Sequence, residues 1–342
     1  MKAELIHLAD KVINRPMMVH PEKLALVASI LGGRIGIDGT GLAEGRQMPA
    51  TIRPAATRSG TSKPSPSPYF QRAGDGVAVV PVIGSLVNRG SYLDAVSGLV
   101  SYAGLRTATN AAMQDDDVST VVYDIDSAGG EAVGAFEAAD HVRAQAQRKP
   151  IIAWVNGLCC SAAYCIASAT SKITVSRSSL IGSIGVVMMH VDRSRRMDQE
   201  GLVPTFIFAG AHKVDGNPLQ PLSKDVKSDL QIEIDYFYEM FVDSVAKGRP
   251  HLSPEAIRAT EARTYIGELA VKAGLADAVG TLSEVISQLS ELDSKIRAKP
   301  YDKYQLAARL YGDAEAISRQ VKDAHAAGLR AGMAAAMIEA KR

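Results

Sequence analysis

Aromatic residues are scarce in this chain. They make up 5% of its 342 residues and include a single tryptophan. Proteins that hold single-stranded nucleic acid need aromatic side chains on which bases stack. An excess of either charge is lacking too, since 38 Lys and Arg residues nearly balance 37 Asp and Glu residues. Without an overall basic field to attract phosphates, the composition predicts no nucleic-acid partner.

Cysteine is almost absent. The three cysteines, Cys159, Cys160 and Cys165, lie within one short segment. An odd number in a chain of this length argues against a disulfide framework and for reduced thiols. We expect them to act as small buried core residues rather than as nucleophiles.

Long apolar runs are also missing. No uninterrupted apolar stretch reaches the roughly 20 residues that span a bilayer, and the run 77–87 is interrupted by Pro81 and Gly84. The N-terminal stretch 1–13 carries charges where an export signal would have an apolar core. We therefore expect no membrane anchor and a cytoplasmic location.

Strand and helix patterns alternate from Gly76 onward. Near-continuous apolar strands between amphipathic helices predict an α/β fold with a parallel sheet covered by helices. The predicted strands are 77–83, 118–125, 150–156, 172–176, 185–190 and 203–208. The predicted helices are 92–114, 131–147, 160–170, 192–201, 222–247, 254–261, 266–273 and 281–293.

The chain divides into four regions. Apolar periodicity predicts a helical N-terminal segment at 1–45. Residues 46–75 are rich in Pro, Ser and Thr and are interpreted as a linker, although an ordered arm on a neighbouring subunit is the alternative. The main domain is placed at 76–295. Residues 296–342 form a charged, alanine-rich tail that is expected to be helical and could be the remnant of a scaffold segment.

Ser161 is the candidate nucleophile. It follows the apolar run 150–156 and precedes small residues that favour a tightly packed helix. At such a strand-to-helix turn a hydroxyl lies beside the unpaired N–H groups of the helix, which can stabilise an oxyanion. A base must then be found elsewhere in the chain.

Lys213 is the candidate base, and it follows the apolar run 204–208. A lysine accepts a proton only in its neutral form, which desolvation favours. Histidine is the alternative, because serine–histidine chemistry is recognised by geometry and not by order in the chain. His212 is the preferred alternative, while His141 and His190 also remain open.

A glycine pair, Gly129 and Gly130, follows the strand pattern at 118–125. Glycine lets a backbone approach a ligand closely. Alone, however, the pair is also typical of an ordinary turn between a strand and a helix.

Five segments in this order resemble the signal peptide peptidase A family of serine–lysine peptidases. They are Ser-Ala-Gly-Gly (127–130), Cys-Cys-Ser-Ala-Ala-Tyr (159–164), Ile-Gly-Ser-Ile-Gly-Val (181–186), Gly-Ala-His-Lys (210–213) and an R-x-Y-x-G-x-x-A-x-x-x-G-L-x-D pattern at 263–277. The resemblance covers roughly residues 75 to 290. The sequence departs from the family pattern in two ways: Ala128 replaces the usual proline, and Ala162 and Ala163 follow Ser161.

The resemblance implies a Clp protease/crotonase fold and a role for each matched residue. Ser161 would be the nucleophile, Lys213 the general base, and Ser183 the residue that orients the lysine. The backbone N–H groups of Gly130 and Ala162 would form the oxyanion hole. The family implies no metal or other cofactor, protein or peptide substrates, and a ring-shaped homo-oligomer. Small residues near the serine suggest a pocket for small or modest apolar side chains.

The regions outside the main domain are similar to those of tailed-phage head-maturation (prohead) proteases. That branch implies a protease that cleaves itself and other prohead proteins, with phage portal, scaffold and capsid proteins as partners, in the host cytoplasm or inside the procapsid. Three alternatives stay open: a cytoplasmic bacterial peptidase that degrades peptides, a catalytically silent structural head protein, and an acyl-CoA enzyme of the crotonase type.

Overall fold

The computed structural model describes residues 15–24, 67, 69–89 and 98–298. Most of the predicted N-terminal segment and linker, and the tail from residue 299, lie outside the described residues. So does the first part of the predicted helix 92–114.

The described residues contain twelve strands and eight helices, together with a helical turn at 21–24. The strands are β1 (Met17–Val19), β2 (Gln71–Arg72), β3 (Val77–Ile83), β4 (Ser85–Val87), β5 (Leu99–Ser101), β6 (Thr120–Ser127), β7 (Gly129–Glu131), β8 (Ile151–Cys160), β9 (Lys172–Val175), β10 (Leu180–Gly182), β11 (Thr264–Ile266) and β12 (Ala278–Val279). The helices are α1 (Tyr102–Gln114), α2 (Ala135–Ala146), α3 (Ala162–Ser168), α4 (Ser194–Gln199), α5 (Lys224–Gly248), α6 (Pro254–Arg258), α7 (Gly267–Lys272) and α8 (Leu282–Ala298).

The centre of the main sheet is parallel. Its strand order is β11-β10-β8-β6-β3-β2, and β9 joins β12 to β8. Strands β3, β6 and β8 pair in parallel, with Val79 beside Val122 and Tyr123 beside Ala153. Strands buried on both faces need apolar residues at successive positions, which is why these segments are nearly continuous runs of valine, isoleucine and alanine. Among the described strands of this sheet, antiparallel pairing is confined to β2 and β11, at the two edges.

Helices cover both faces of this sheet. On one face α1, α2, α3 and α5 contribute to the larger apolar core, and the fully buried Tyr123, Tyr164 and Phe241 are among its largest side chains. On the other face α8 packs Val285 and Leu289 against β3, β6 and β8. The predicted α/β class, a parallel sheet covered by helices, is confirmed.

A second, four-stranded sheet has the order β1-β7-β4-β5. Its strand β7 follows β6 after a single residue, so this small sheet begins at the carboxyl edge of the main one. Within the segment 1–45 that was predicted to be helical, residues 17–19 form strand β1 instead, extended and buried. Pro16 and Pro21 bracket this short strand, and proline is unfavourable within a continuing helix.

The predicted strand 203–208 is wrong. These residues lie in an irregular loop in which Val203 is 88% exposed and Ile207 is 98% exposed. The predicted strand 185–190 is reduced to single bridges, one of which joins Val187 to Met17. Apolar runs alone do not make a strand when no sheet edge is available to pair with them.

Two further boundaries differ from prediction. Helix α1 begins only at Tyr102, because β5 precedes it and the Ser101 hydroxyl accepts the Gly104 N–H at 3.0 Å, capping the helix. The end of the predicted linker is ordered, with β2 paired to β3 and Phe70 buried. Every helix in the described part of the chain is too short or too polar to span a bilayer.

Candidate active site

Ser161 occupies the turn between β8 and α3, where the sequence placed it. Its backbone has φ 57° and ψ −119°, a conformation that residues with a side chain rarely adopt. Such strain persists only where the surrounding structure enforces it, and it is found mostly at functional sites. Here it is enforced by the tightly packed residues on both sides, because Cys160 and Ala162 are fully buried.

The Ser161 side chain is directed toward the segment that follows β10. The Ser161 hydroxyl donates to the carbonyl oxygen of Gly185 at 3.4 Å, and the Ser161 N–H donates to the carbonyl oxygen of Gly182 at 2.8 Å. The residue has no solvent-exposed area. A substrate can therefore reach this hydroxyl only if something that covers it moves away.

The glycine pair lies beside Ser161. Gly129 has φ 97°, and a Cβ added there would lie 3.0 Å from the Cβ of Ser161. The same added atom would lie 2.2 Å from the carbonyl oxygen of Met18. A Cβ on Gly130 would lie 1.8 Å from the carbonyl oxygen of Leu86. Both glycines are needed because neighbouring backbones, from β1 and β4, approach them closely.

Two other predicted residues lie on elements that border Ser161. Ala162 is the first residue of α3, so its N–H belongs to the first helical turn, which has no partners within the helix. Ser183 follows Gly182 directly and is buried, with φ 52°. Its N–H donates to the carbonyl oxygen of Arg263 at 3.0 Å, which ties this segment to the motif at 263–277.

Lys213 is placed differently from the other candidates. It lies in an exposed stretch of turns inside the irregular region 202–222, which we call the lysine loop, and its N–H donates to Gly210 at 3.0 Å. Within the described part of the chain no hydrogen bond joins its amine to the Ser161 hydroxyl, which instead bonds Gly185. The structure thus places the glycine pair beside Ser161, whereas Lys213 is exposed and makes no hydrogen bond to the serine among the described residues.

His212, the alternative base, is also on the lysine loop and is exposed. Its Nδ1 lies 2.8 Å from Oδ2 of Asp215. The hydrogen bond to Asp215, followed by the charge of that carboxylate, raises the pKa of His212. A raised pKa favours the protonated imidazole, which cannot accept a proton from serine.

The three cysteines are buried and free, as expected from the sequence. Burial raises the pKa of Cys160 and of Cys165 to about 12, and it also raises the pKa of Cys159. Thiols with such pKa values carry almost no thiolate at neutral pH, and the thiolate is the reactive form. They pack the core around the serine.

Sequence reasoning missed the part that β1 plays at this site. Met17, Met18 and Val19 are all buried and lie against β7, the strand that contains the glycine pair. The available signal was a three-residue apolar run between two prolines, which is typical of a short extended segment. This run alone does not indicate a strand, because its partner β7 is distant in sequence.

Comparison with known proteins gives consistent matches. The model of peptidase family S49 matches residues 143–296. Head-tail preconnector protein GP5 of Enterobacteria phage P21 is 36% identical over 302 residues, which are 87% of this chain and 60% of that protein. Capsid assembly protease C of Escherichia phage lambda is 33% identical over 295 residues, 85% of this chain and 67% of that protein.

More distant similarities extend beyond phages. Protease 4 of Haemophilus influenzae is 24% identical over 221 residues, 63% of this chain and 34% of that protein. A solved enoyl-CoA hydratase/isomerase family member is 15% identical with a TM-score of 0.42, covering 76% of this chain and 89% of that one. The structural similarity is too weak to bear on function.

Proposed function

Since the chain belongs to peptidase family S49, we propose that it is a serine endopeptidase that processes proteins of the phage head. The peptidase family, predicted from the five motifs, and its phage branch, predicted from the regions outside the main domain, are confirmed. The phage relatives are longer, and the chain spans 60% and 67% of the two compared above. These relatives, a capsid assembly protease and a head-tail preconnector protein, support a role in head assembly.

The position of Ser161 carries the proposal. A hydroxyl on a strained strand-to-helix turn, beside a glycine backbone, can attack a peptide carbonyl that lies against the glycines. The attack forms a bond from Ser161 Oγ to the carbonyl carbon while a base takes the hydroxyl proton. Collapse of the tetrahedral intermediate breaks the peptide bond, and the leaving amine receives that proton. Water then hydrolyses the acyl-enzyme.

The oxyanion of the intermediate would be bound by the N–H groups of Gly130 and Ala162. Removing one such donor typically costs roughly a hundred- to a thousandfold in rate. Gly130 is suited to the role because its neighbour Gly129 adopts φ 97°, which turns the chain sharply just after β6. Ala162 supplies its donor from the first turn of α3.

The base is assigned to Lys213 of a neighbouring copy. The exposed position of the lysine loop, with nearly the whole of Ile207 open to solvent, supports an assembly in which this loop packs on a second chain. Burial in that contact would favour the neutral amine, which is the form that accepts a proton. Ser183, at the border of the Ser161 site, is the residue proposed to orient the amine.

A homo-oligomeric ring with enclosed sites is the assembly that we propose. Substrates would be extended protein segments, including segments of the chain itself and of prohead proteins. Portal, scaffold and capsid proteins are the proposed partners, in the host cytoplasm or within the procapsid. No cofactor is needed for this chemistry, because serine, lysine and two backbone donors complete it.

The proposal is tested by peptide hydrolysis and self-cleavage. Purified full-length wild type, Ser161→Ala and the exposed control Ser178→Ala are incubated alone and with casein, and products are mapped by mass spectrometry. We expect S161A to lose at least about a thousandfold in rate, as when a catalytic serine is removed from other serine peptidases. The S178A variant should match wild type. Equal hydrolysis by S161A and wild type would exclude Ser161 as the nucleophile.

A further inference from the structure

Strand β1 lies along the edge of β7 in a defined register. The two strands are antiparallel, with Met17 opposite Glu131, Met18 opposite Gly130 and Val19 opposite Gly129. Without β1, β7 would be the edge of its sheet and would present unpaired backbone groups. Such an edge is where an extended peptide can add as a further strand.

The register places the carbonyl of Met18 at Gly130. The His20 N–H donates to Ala128 at 2.8 Å, and the Ala132 N–H donates to Pro16 at 3.3 Å. Hydrogen-bonded and non-hydrogen-bonded pairs alternate along an antiparallel ladder. The pair midway between these two bonds, Met18 and Gly130, is therefore hydrogen-bonded, and the Gly130 N–H faces the Met18 carbonyl oxygen. This N–H is the proposed oxyanion donor.

The other edge of β1 is also occupied. The Met17 N–H donates to the Val187 carbonyl at 2.9 Å, and the Val187 N–H donates back to the Met17 carbonyl at 2.9 Å. Val187 is two residues beyond Gly185, which accepts the Ser161 hydroxyl. Residues 16–20 thus run between two backbone segments that both border the nucleophile.

The Met18 carbonyl is also close to Ser161. A Cβ built on Gly129 would lie 2.2 Å from the Met18 carbonyl oxygen and 3.0 Å from the Ser161 Cβ. The Met18 carbonyl oxygen and the Ser161 Cβ are therefore no farther apart than the sum of those two distances. Ser161 and Met18 are both fully buried, and β1 therefore lies directly beside the buried nucleophile.

We propose that residues 16–20 occupy, within the same chain, the position of a substrate strand and block Ser161 until they are displaced. This inference rests on the proposed peptidase function and adds its regulation and substrate class. Strand β1 makes the contacts that a substrate backbone would make on both sides, and it presents one carbonyl to the oxyanion donor. A substrate must compete with this segment or wait for its release.

The same register indicates which substrates fit. Met18 is fully buried in the larger apolar core. The substrate residue whose carbonyl faces Gly130 would therefore have a large, flexible apolar side chain. This differs from the small or modest side chain that the sequence suggested from the small residues near Ser161. The preferred substrate is an extended segment with methionine or a residue of similar size at that position.

The first test removes one anchor of β1. In Met17→Pro the N–H that donates to Val187 is lost, whereas Met17→Leu keeps that N–H and a similar volume. Full-length proteins are treated with a fluorophosphonate, and the rate of Ser161 labelling is followed by intact mass. We expect M17P to be labelled about tenfold faster than wild type, and M17L to match wild type. Equal rates in folded M17P and wild type would overturn the proposal.

The second test restores the block with a peptide. A synthetic peptide of residues 14–22 is added to M17P and should slow labelling back toward the wild-type rate. A matched peptide carrying Met18→Asp should not protect, because a carboxylate in place of Met18 would lose its hydration in the apolar core. Equal protection by both peptides, or by neither, would contradict the substrate-like register.

The third test does not depend on catalysis or on M17P folding. In full-length Ser161→Ala, hydrogen exchange is measured at the amides of Gly130 and Val187, the two donors that β1 engages. Both should exchange at least about a hundredfold more slowly than in an unstructured chain. Exchange at unprotected rates would show that β1 is not seated and would overturn the proposal.

The outcomes separate this inference from the proposed function. A folded M17P chain that is neither labelled nor able to cleave casein would contradict the peptidase assignment, and with it this proposal. A chain whose serine reacts equally fast with β1 anchored or unanchored contradicts only the internal block.

Discussion

Ser161 pairs a functional requirement with a local backbone cost. Its φ of 57° and ψ of −119° lie in a region that glycine enters freely and other residues enter with strain. Strain of this kind costs on the order of 1–3 kcal/mol. A residue chosen only for stability at this turn would be glycine, so the serine is retained against the conformational preference.

Comparing two variants that both lack the hydroxyl isolates this strain. Ser161→Gly should be more stable than Ser161→Ala by about 1 kcal/mol, because relief of strain exceeds the extra entropy that glycine loses on folding. For a domain of this size that corresponds to a melting temperature about 2–4 °C higher. Calorimetry of the two proteins at the same concentration measures the difference. A lower melting temperature for S161G would show that the turn is not strained.

At the residue scale, the sequence was sufficient to predict the turn at Ser161 but not to predict which segments surround it. The apolar run before Ser161 and the small residues after it are local signals, and they placed the serine correctly between β8 and α3. The hydrogen bond to Gly185 and the nearby Met18 carbonyl depend on segments far away in sequence. No local pattern encodes which distant backbone will lie against a given side chain.

Among the elements, strands in the middle of the sheet were the most predictable. Strand β3 matches its predicted range of 77–83, because a strand buried on both faces needs apolar residues throughout. The stretch 203–208 has a similar apolar composition but lies outside any sheet. An apolar composition therefore does not by itself predict a strand, since Ile207 in this stretch is almost fully exposed.

One ion pair joins several elements near the end of the main domain. The Arg249 guanidinium, just after α5, binds both carboxylate oxygens of Asp277 at 2.8 Å, and the Ile173 N–H of β9 donates to the same carboxylate at 2.7 Å. Burial alone would raise the pKa of Asp277, but the hydrogen bonds and charge of Arg249 outweigh it and hold that pKa below its ordinary value. This pair explains why the motif at 263–277 closes with aspartate.

Replacing Asp277 by asparagine should lower the free energy of unfolding by about 3 kcal/mol at pH 7, because Arg249 would be left buried without a counter-charge. An aspartate whose folded pKa is lowered contributes stability above its unfolded pKa and loses it as the pH falls through the folded value. The gap between wild type and D277N should therefore shrink below about pH 4. Urea unfolding at pH 7 and pH 3 measures it.

The matched control for this prediction is Glu239→Gln. It removes the exposed partner of Arg258, whose guanidinium donates two hydrogen bonds to the Glu239 carboxylate. Exposed pairs contribute little, so E239Q should unfold nearly as wild type does. A D277N protein as stable as E239Q would mean that the buried pair adds nothing to stability.

On the scale of the whole molecule, the lysine loop is the feature that bears on assembly. Its apolar residues Leu202, Val203, Ile207 and Phe208 are exposed, and Lys213 follows them. Clustered exposed apolar side chains indicate a surface that meets another protein. The sequence predicted Lys213 as the base from its motif, but a local pattern cannot specify whether a lysine acts in its own chain or in a neighbouring one.

If the base comes from a neighbour, two inactive proteins should rescue each other. Ser161→Ala retains Lys213 and Lys213→Ala retains Ser161, so a mixed ring contains some sites with both groups. With random, equal mixing, about a quarter of all sites would carry an intact serine next to a neighbour with an intact lysine. Co-expressed chains with different tags, purified as mixed rings, should therefore recover casein hydrolysis to about that fraction of wild type.

The matched control disrupts the contact and keeps both catalytic side chains. Ile207→Asp puts a charge on the exposed apolar part of the lysine loop, and it should reduce both the assembled mass in light scattering and the hydrolysis rate. Recovery requires chains that touch, so introducing I207D into both partners should abolish the rescue. If the two mutant proteins form mixed rings and remain inactive, serine and lysine must act within one chain, and the lysine loop would have to fold back onto its own Ser161.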